Sequence, residues 1–165
     1  MKKSTQPIPE GFHSVTPALI VRNAAEAIEF YKKALGAEEI SRMAFPDGKI
    51  GHAELKIGDS IVFLSDENPA MGCKSPQTLG GTASSLYLYV KDVDKAFERA
   101  LDAGGKATMP VADMFWGDRF GNFADPYGHN WGLGTRTLDL TRQEMEEGAK
   151  SFYAQMAQQA QKKSA

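Results

Sequence analysis

The sequence predicts an α+β fold built from two tandem strand-helix-strand-strand-strand units. Three observations predict it. Short apolar runs alternate with helical patterns between turn signals, each half opens on a strand followed by a helix with cap residues, and the second half repeats the first at an offset of 69 residues. At that offset Leu19, Val21, Ala27, Glu29, Ala34 and Gly36 fall on Leu88, Val90, Ala96, Glu98, Ala103 and Gly105, six identities in 18 positions. The competing reading is two unrelated halves that share common residue types.

In chain order, residues 15–21 (VTPALIV) form the first strand, with Pro17 marking an edge or a strand start. Asn23 and Glu26 supply a capping box, Ala27, Ile28, Tyr31 and Leu35 share one helical face, and Gly36 closes the helix. Residues 39–45, 50–57 and 60–65 follow as three strands, joined by a Pro-Asp-Gly turn at 46–48 and a Gly-Asp turn at 58–59. Residues 67–83 are rich in Gly, Pro, Ser and Thr and read as a crossover loop, a linker or a lid. The second unit begins with the strand 85–90 (SLYLYV). Asp92 caps a helix through Ala103, and 120–124 and 130–135 are further strands. Thr141 and Glu144 form another capping box, opening a helix that runs to Lys163, with Met145, Phe152 and Met156 near one face to pack on the body or on a second subunit. The organisation expected is a flexible lead-in (1–12), one domain (13–137, units 13–66 and 84–137) and a C-terminal helix (138–165).

Composition narrows the function classes. The chain has 165 residues, 42% hydrophobic and 24% charged, the balance of one ordinary globular domain. A net charge of -2 with scattered basic residues lacks the footprint of a nucleic-acid binder. Cys73 is the single cysteine, so an intrachain disulfide and a cysteine-rich zinc site are excluded and a reducing cytoplasm fits best. The N-terminal residues have no apolar signal-peptide core, and no run of 18 apolar residues offers a membrane span.

Two βαβββ units carrying GHAEL at 51–55, GDRFG at 117–121 and DPYGHNW at 125–131 resemble the vicinal oxygen chelate superfamily of glyoxalases, bleomycin-resistance proteins and dioxygenases, and more closely its PhnB-like branch. The resemblance implies curved, mixed four-stranded sheets around a cavity and a homodimer. It also implies metal ligands on the first and last strand of each unit, positions that fall here on Thr16, Phe63, Ser85 and Gly132. None is His, Asp or Glu, and two hydroxyls cannot hold a hard divalent ion, so no metal and no cofactor is expected at those positions.

Strand parity then predicts the cavity wall. If Thr16 and Ser85 face inward, so do Ala18, Ile20, Tyr87 and Tyr89, while Val15, Leu19, Val21, Leu86, Leu88 and Val90 face the helices. On the third strand Ala53, Leu55 and Ile57 meet the helix, turning His52, Glu54 and Lys56 inward; carried to the second unit, this gives Arg119 and Phe123. His52 and Glu54 are the candidate catalytic pair, a base and a carboxylate two residues apart. Their structural alternative is a solvated face, or an ion pair of Glu54 with Arg119. Arg119 is a candidate clamp for a carboxylate or phosphate, and Phe63, Tyr87, Tyr89 and Trp116 are candidate aromatic walls whose alternative is core packing. Asp118 is expected to cap or bridge a loop and His129 to hydrogen-bond locally. Three functions follow in order: a binding protein for a small aromatic or carbonyl-containing molecule, a metal-independent enzyme using His52 and Glu54, and an enzyme with a non-standard metal set.

Overall fold

The computed structural model describes residues 3–163. The first two residues of the expected lead-in and the last two of the expected C-terminal helix lie outside them. Two four-stranded mixed sheets form, each with one parallel and two antiparallel pairings. The first contains β1 (Ala18–Val21), β2 (Glu38–Ala44), β3 (Ile50–Ile57) and β4 (Ser60–Asp66) in the order β1-β4-β3-β2, with helix α1 (Ala24–Leu35) after β1. A 3-10 turn at Pro69–Met71 and the short helix α2 (Pro76–Leu79) cross to the second unit. There β5 (Ser85–Tyr89), α3 (Val93–Asp102), β6 (Lys106–Asp113), β7 (Asp118–Ala124) and β8 (Asn130–Arg136) give the matching order β5-β8-β7-β6. Helix α4 (Arg142–Lys163) follows.

The duplication is visible in hydrogen-bond register. Ala18 pairs with Phe63 and Leu19 with Leu64 in the first sheet; Tyr87 pairs with Gly132 and Leu88 with Leu133 in the second, each 69 residues on. On β3 and β7 the offset falls to 68. Glu54 lies opposite Phe63, and Asn122, rather than Phe123, lies opposite Gly132. Four residues, 57–60, span the distance between the pairs Lys56/Ile61 in the first hairpin, whereas five, 125–129, separate Ala124 from Asn130. The extra residue sits in the DPYGH turn, and because side chains alternate, it reverses the facing of every β7 residue relative to the 69-residue alignment.

One apolar core joins both units. Leu19, Val21, Ala27, Ile28, Tyr31 and Ala34 of the first pack with Val93, Ala96, Phe97, Phe123, Trp131 and Leu133 of the second, and Leu86, Leu88 and Val90 lie against them. Asp125 lashes the units together. Its Oδ2 accepts the Tyr31 hydroxyl of α1 at 2.6 Å and the Trp131 indole N–H at 3.0 Å, and its Oδ1 accepts the backbone N–H groups of Tyr127 and His129 at 2.9 Å each. Burial, reinforced by the Asp125 charge, raises the Tyr31 phenol well above its ordinary value, so it remains a donor. His129 reaches much farther than a local contact: its Nε2 lies 3.1 Å from the Ile20 carbonyl across the unit boundary.

Helices α3 and α4 are capped locally and α1 from a distance. Asp92 does cap α3, accepting the Lys95 N–H at 3.1 Å, and Thr141 and Glu144 do form a reciprocal box at the start of α4. Asn23 does not cap α1. It takes a left-handed backbone (φ 61°) and makes no side-chain cap bond, while the Ala24 N–H donates to Asp66 Oδ1 at 2.8 Å. The other Asp66 oxygen accepts the Ile50 N–H at 2.7 Å, so one carboxylate at the end of β4 serves both a helix start and a strand start. Val15 precedes β1 and is 80% exposed instead of facing a helix. Helix α4 is held through Phe115, whose ring lies 5.4 Å from that of Phe152, and Met156 stays exposed.

Two surface carboxylates carry a pH signature. Hydrogen bonds from Arg42 and then Lys32 lower Glu39 to about 2, and bonds from Thr78 and Ser75 lower Glu67 to about 2. Both folded values lie below the unfolded ones, so their contribution to stability is present above about pH 4.5 and is lost as pH falls toward 2. We expect denaturation midpoints to fall across that window, and Glu39→Gln and Glu67→Gln together to flatten the decline. An acid limb unchanged by both substitutions would assign the effect to other carboxylates.

Candidate functional site

In each sheet one face meets the helices and the other is left uncovered by the chain. The uncovered face of the first unit carries His52 and Glu54 on β3, Phe63 on β4, and Ala18 and Ile20 on β1, with Met43 of β2 beside His52 and 62% exposed. His52 Nε2 lies 3.5 Å from Glu54 Oε1, a loose contact between two half-buried side chains. The His52 ring stands edge-on to Phe63 at 4.8 Å, and Phe12 approaches Phe63 at 5.9 Å. Thr16 is half-buried ahead of β1. Lys56 is exposed at the far end of the same face.

The uncovered face of the second unit is organised around Asp118. This residue is 1% exposed, and its Oδ2 accepts hydrogen bonds from the Tyr87 hydroxyl at 2.9 Å, the Tyr89 hydroxyl at 3.0 Å and the Trp116 indole N–H at 3.2 Å. Phe120 stacks on Tyr87, with centroids 5.0 Å apart and planes 7° from parallel, and meets Trp116 edge-on at 5.7 Å. Burial and then the bond to Asp118 push the Tyr87 phenol far up; the bond to Asp118 and then burial raise Tyr89. Both phenols therefore hold their protons, and both protons are committed to the same oxygen. Asp118 Oδ1 is buried and has no hydrogen-bond partner among the described residues.

Glycine at two β8 positions makes room for this cluster. A Cβ at Gly134 would stand 2.3 Å from the Tyr87 hydroxyl oxygen, and one at Gly132 would stand 2.7 Å from the Phe120 ring and 3.0 Å from Asn122 Oδ1. Alternation along β8 meanwhile sends Trp131 and Leu133 into the core.

Two of the predicted wall residues point elsewhere. Arg119 is on the helix side, its guanidinium bonded to both Asp94 oxygens at 2.8 and 2.7 Å and to Asp113 at 3.3 Å, so neither a ligand clamp nor a partner for Glu54 is formed. Phe123 is fully buried in the core with its ring 6.5 Å from Phe97 of α3. The cause is the extra turn residue, which places Phe120 and Asn122 where the 69-residue alignment put open-face neighbours one position later. Asp118, expected to serve a loop, is the centre of the cluster. The longer DPYGH turn was the signal that could have revealed this. Ser85 is exposed at the start of β5.

The metal positions inferred from resemblance do not fit a divalent cation. Phe63 and Gly132 bring no donor, and Phe120 and Asn122 already occupy the space a longer side chain at 132 would need. Among the described residues no three His, Cys, Asp or Glu side chains converge. A separate apolar groove of about 510 Å³ runs between the β1 and β5 edges, lined by Val15, Pro17, Leu19, Val62, Leu86 and Trp131 together with Ser85 and Tyr87. It contains neither His52 nor Asp118.

Comparison with known proteins gives a consistent result. The family model described as Glyoxalase/Bleomycin resistance protein/Dioxygenase superfamily matches residues 11–133. An uncharacterised protein of Mycobacterium bovis is 44% identical over 141 residues, covering 84% of this chain and 93% of that protein. The crystal structure of TioX from Micromonospora sp. ML1 superposes with a TM-score of 0.59 at 25% identity, covering 78% of this chain and 100% of the other. A PhnB protein from Bacillus cereus, described as a putative 3-demethylubiquinone-9 3-methyltransferase, superposes with a TM-score of 0.58 at 24% identity, covering 74% and 99%.

Proposed function

The chain belongs to the glyoxalase/bleomycin resistance protein/dioxygenase superfamily, and from that premise we propose that it is a PhnB-like homodimer that binds a small aromatic or carbonyl-containing molecule without a metal. The observation that carries this reading is the Tyr87, Tyr89, Trp116 and Phe120 cluster, fixed around a buried carboxylate on a sheet face that the chain leaves open. Rings held this way form a wall before any ligand arrives, so binding does not have to order them. Tyr87 and Tyr89 are 44% and 65% exposed, and Met43 is 62% exposed on the other sheet. Uncovered apolar faces of this kind are the surfaces that a second copy covers.

No helix among the described residues is long and apolar enough to cross a membrane. We place the domain at 13–137, with the C-terminal helix outside it. The test joins light scattering to a thermal-shift screen. We expect a dimer, and stabilisation by flat aromatic compounds that survives both His52→Gln and Glu54→Gln. A monomer at micromolar concentration, or no response to any aromatic compound, would remove the reading.

One observation favours a second reading, a metal-independent enzyme. His52 and Glu54 lie 3.5 Å apart on an open face beside Phe63 and can exchange a proton with a bound carbonyl compound. Loss of turnover with retained binding in the same two variants would select it over simple sequestration.

A further inference from the structure

Asp118 leaves one question that the aromatic wall does not answer. Its Oδ2 is saturated by three donors, yet Oδ1 is buried and unpartnered among the described residues. A buried carboxylate oxygen left without a donor costs free energy, and native proteins keep few of them. Among the described residues no basic side chain bonds to it. Arg119, the adjacent residue, is turned to Asp94 and Asp113, and Arg136, directly opposite Asp118 in register, donates its Nε–H to Asp139 at 3.0 Å.

The groups bonded to Asp118 have no further proton to offer. Tyr87 and Tyr89 have given their only protons to Oδ2, so their oxygens accept, and Asp118 Oδ1 accepts. Around these acceptors stand four aromatic rings, whose faces attract cations. A carboxylate ligand would meet the Asp118 carboxylate at this spot, with the Tyr87, Tyr89 and Trp116 protons already committed to Oδ2. An ammonium group would find both a carboxylate oxygen and ring faces.

We infer that Asp118 Oδ1 is the acceptor for an organic ammonium ligand seated against Tyr87, Tyr89, Trp116 and Phe120. The inference rests on the binding reading above and narrows its ligand class from aromatic to aromatic and cationic. Tyr89, the most exposed of the four rings, is bonded to the other oxygen of the same carboxylate.

The experiment is a calorimetric titration at neutral pH with three probes of one shape: 1-naphthylmethylamine, 1-naphthalenemethanol and 1-naphthoate. We expect the amine to bind about tenfold more tightly than the alcohol, and the carboxylate to bind weakest. In Asp118→Asn the amine and alcohol should converge to within about twofold. Should that variant not fold, nuclear Overhauser contacts between the amine's methylene protons and the Tyr87 and Tyr89 rings in the unaltered protein provide the second readout. Naphthoate binding as well as the amine, an unchanged preference in Asp118→Asn, or contacts to other residues alone would overturn the ammonium site. If the alcohol still binds, the aromatic wall stands as a binding surface without the ammonium site; if none of the three binds, both fall.

Discussion

Replacing Asp125 with alanine is expected to cost about 3–5 kcal/mol of folding stability. The substitution strands four donors at once: the Tyr31 hydroxyl, the Trp131 indole N–H and the backbone N–H groups of Tyr127 and His129. Tyr31 and Trp131 are essentially inaccessible to water, so solvent cannot replace the lost acceptor without opening the core. A domain of this size should lose roughly 8–15 °C in melting temperature. Tyr31→Phe removes one donor and leaves Asp125 three, so it should cost only about 1–2 kcal/mol. Denaturant titration of both proteins decides the matter. An Asp125→Ala loss no larger than that of Tyr31→Phe would show that the turn does not clamp the two units.

The second large effect is expected on the aromatic wall. In Gly134→Ala the new methyl group would stand 2.3 Å from the Tyr87 hydroxyl oxygen and 3.0 Å from its ring, so the ring must leave Asp118 and its stack on Phe120. Stability should fall by about 1–3 kcal/mol, the range for forcing one extra carbon into a packed site. Binding of 1-naphthalenemethanol should weaken by about tenfold, the effect of losing one aromatic contact of this kind. Near-ultraviolet circular dichroism reports the ring movement directly. A spectrum and an affinity both matching the unaltered protein would mean that Tyr87 yields without disturbing the wall.

Which parts were legible in the sequence follows from how locally each is encoded. Helix α3 and helix α4 carry their own caps in Asp92 and in Thr141 with Glu144, and the parity of β1, β3 and β5 is written in alternating apolar residues. Three features are set by distant partners instead. The α1 cap comes from Asp66, 42 residues downstream of Ala24, so Asn23 looked sufficient when only neighbours were considered. Strand β6 leaves little trace in the sequence because Pro110 and two register shifts interrupt its pattern, as an edge strand tolerates. The site is the least legible part: the 69-residue offset points to Arg119 and Phe123, but the turn before β8 is one residue longer and the offset on β7 is 68. His52, Glu54, Phe63, Tyr87, Tyr89 and Trp116 do lie on or beside the open faces.

That single added turn residue has a consequence for how duplicated walls diverge. Ordinarily two copies of a strand become different surfaces one substitution at a time, each tested against the packing it disturbs. Here the change in hairpin length left the facing of the strand intact: β3 and β7 match at an offset of 68, interior to interior and open face to open face. Leu55 and Phe123 stayed core residues because each fills the same slot in its own register, while histidine and glutamate on one copy came to answer phenylalanine and asparagine on the other. Two half-sites of unlike chemistry, one bearing an imidazole and a carboxylate and the other an aromatic box, thus share a single backbone plan.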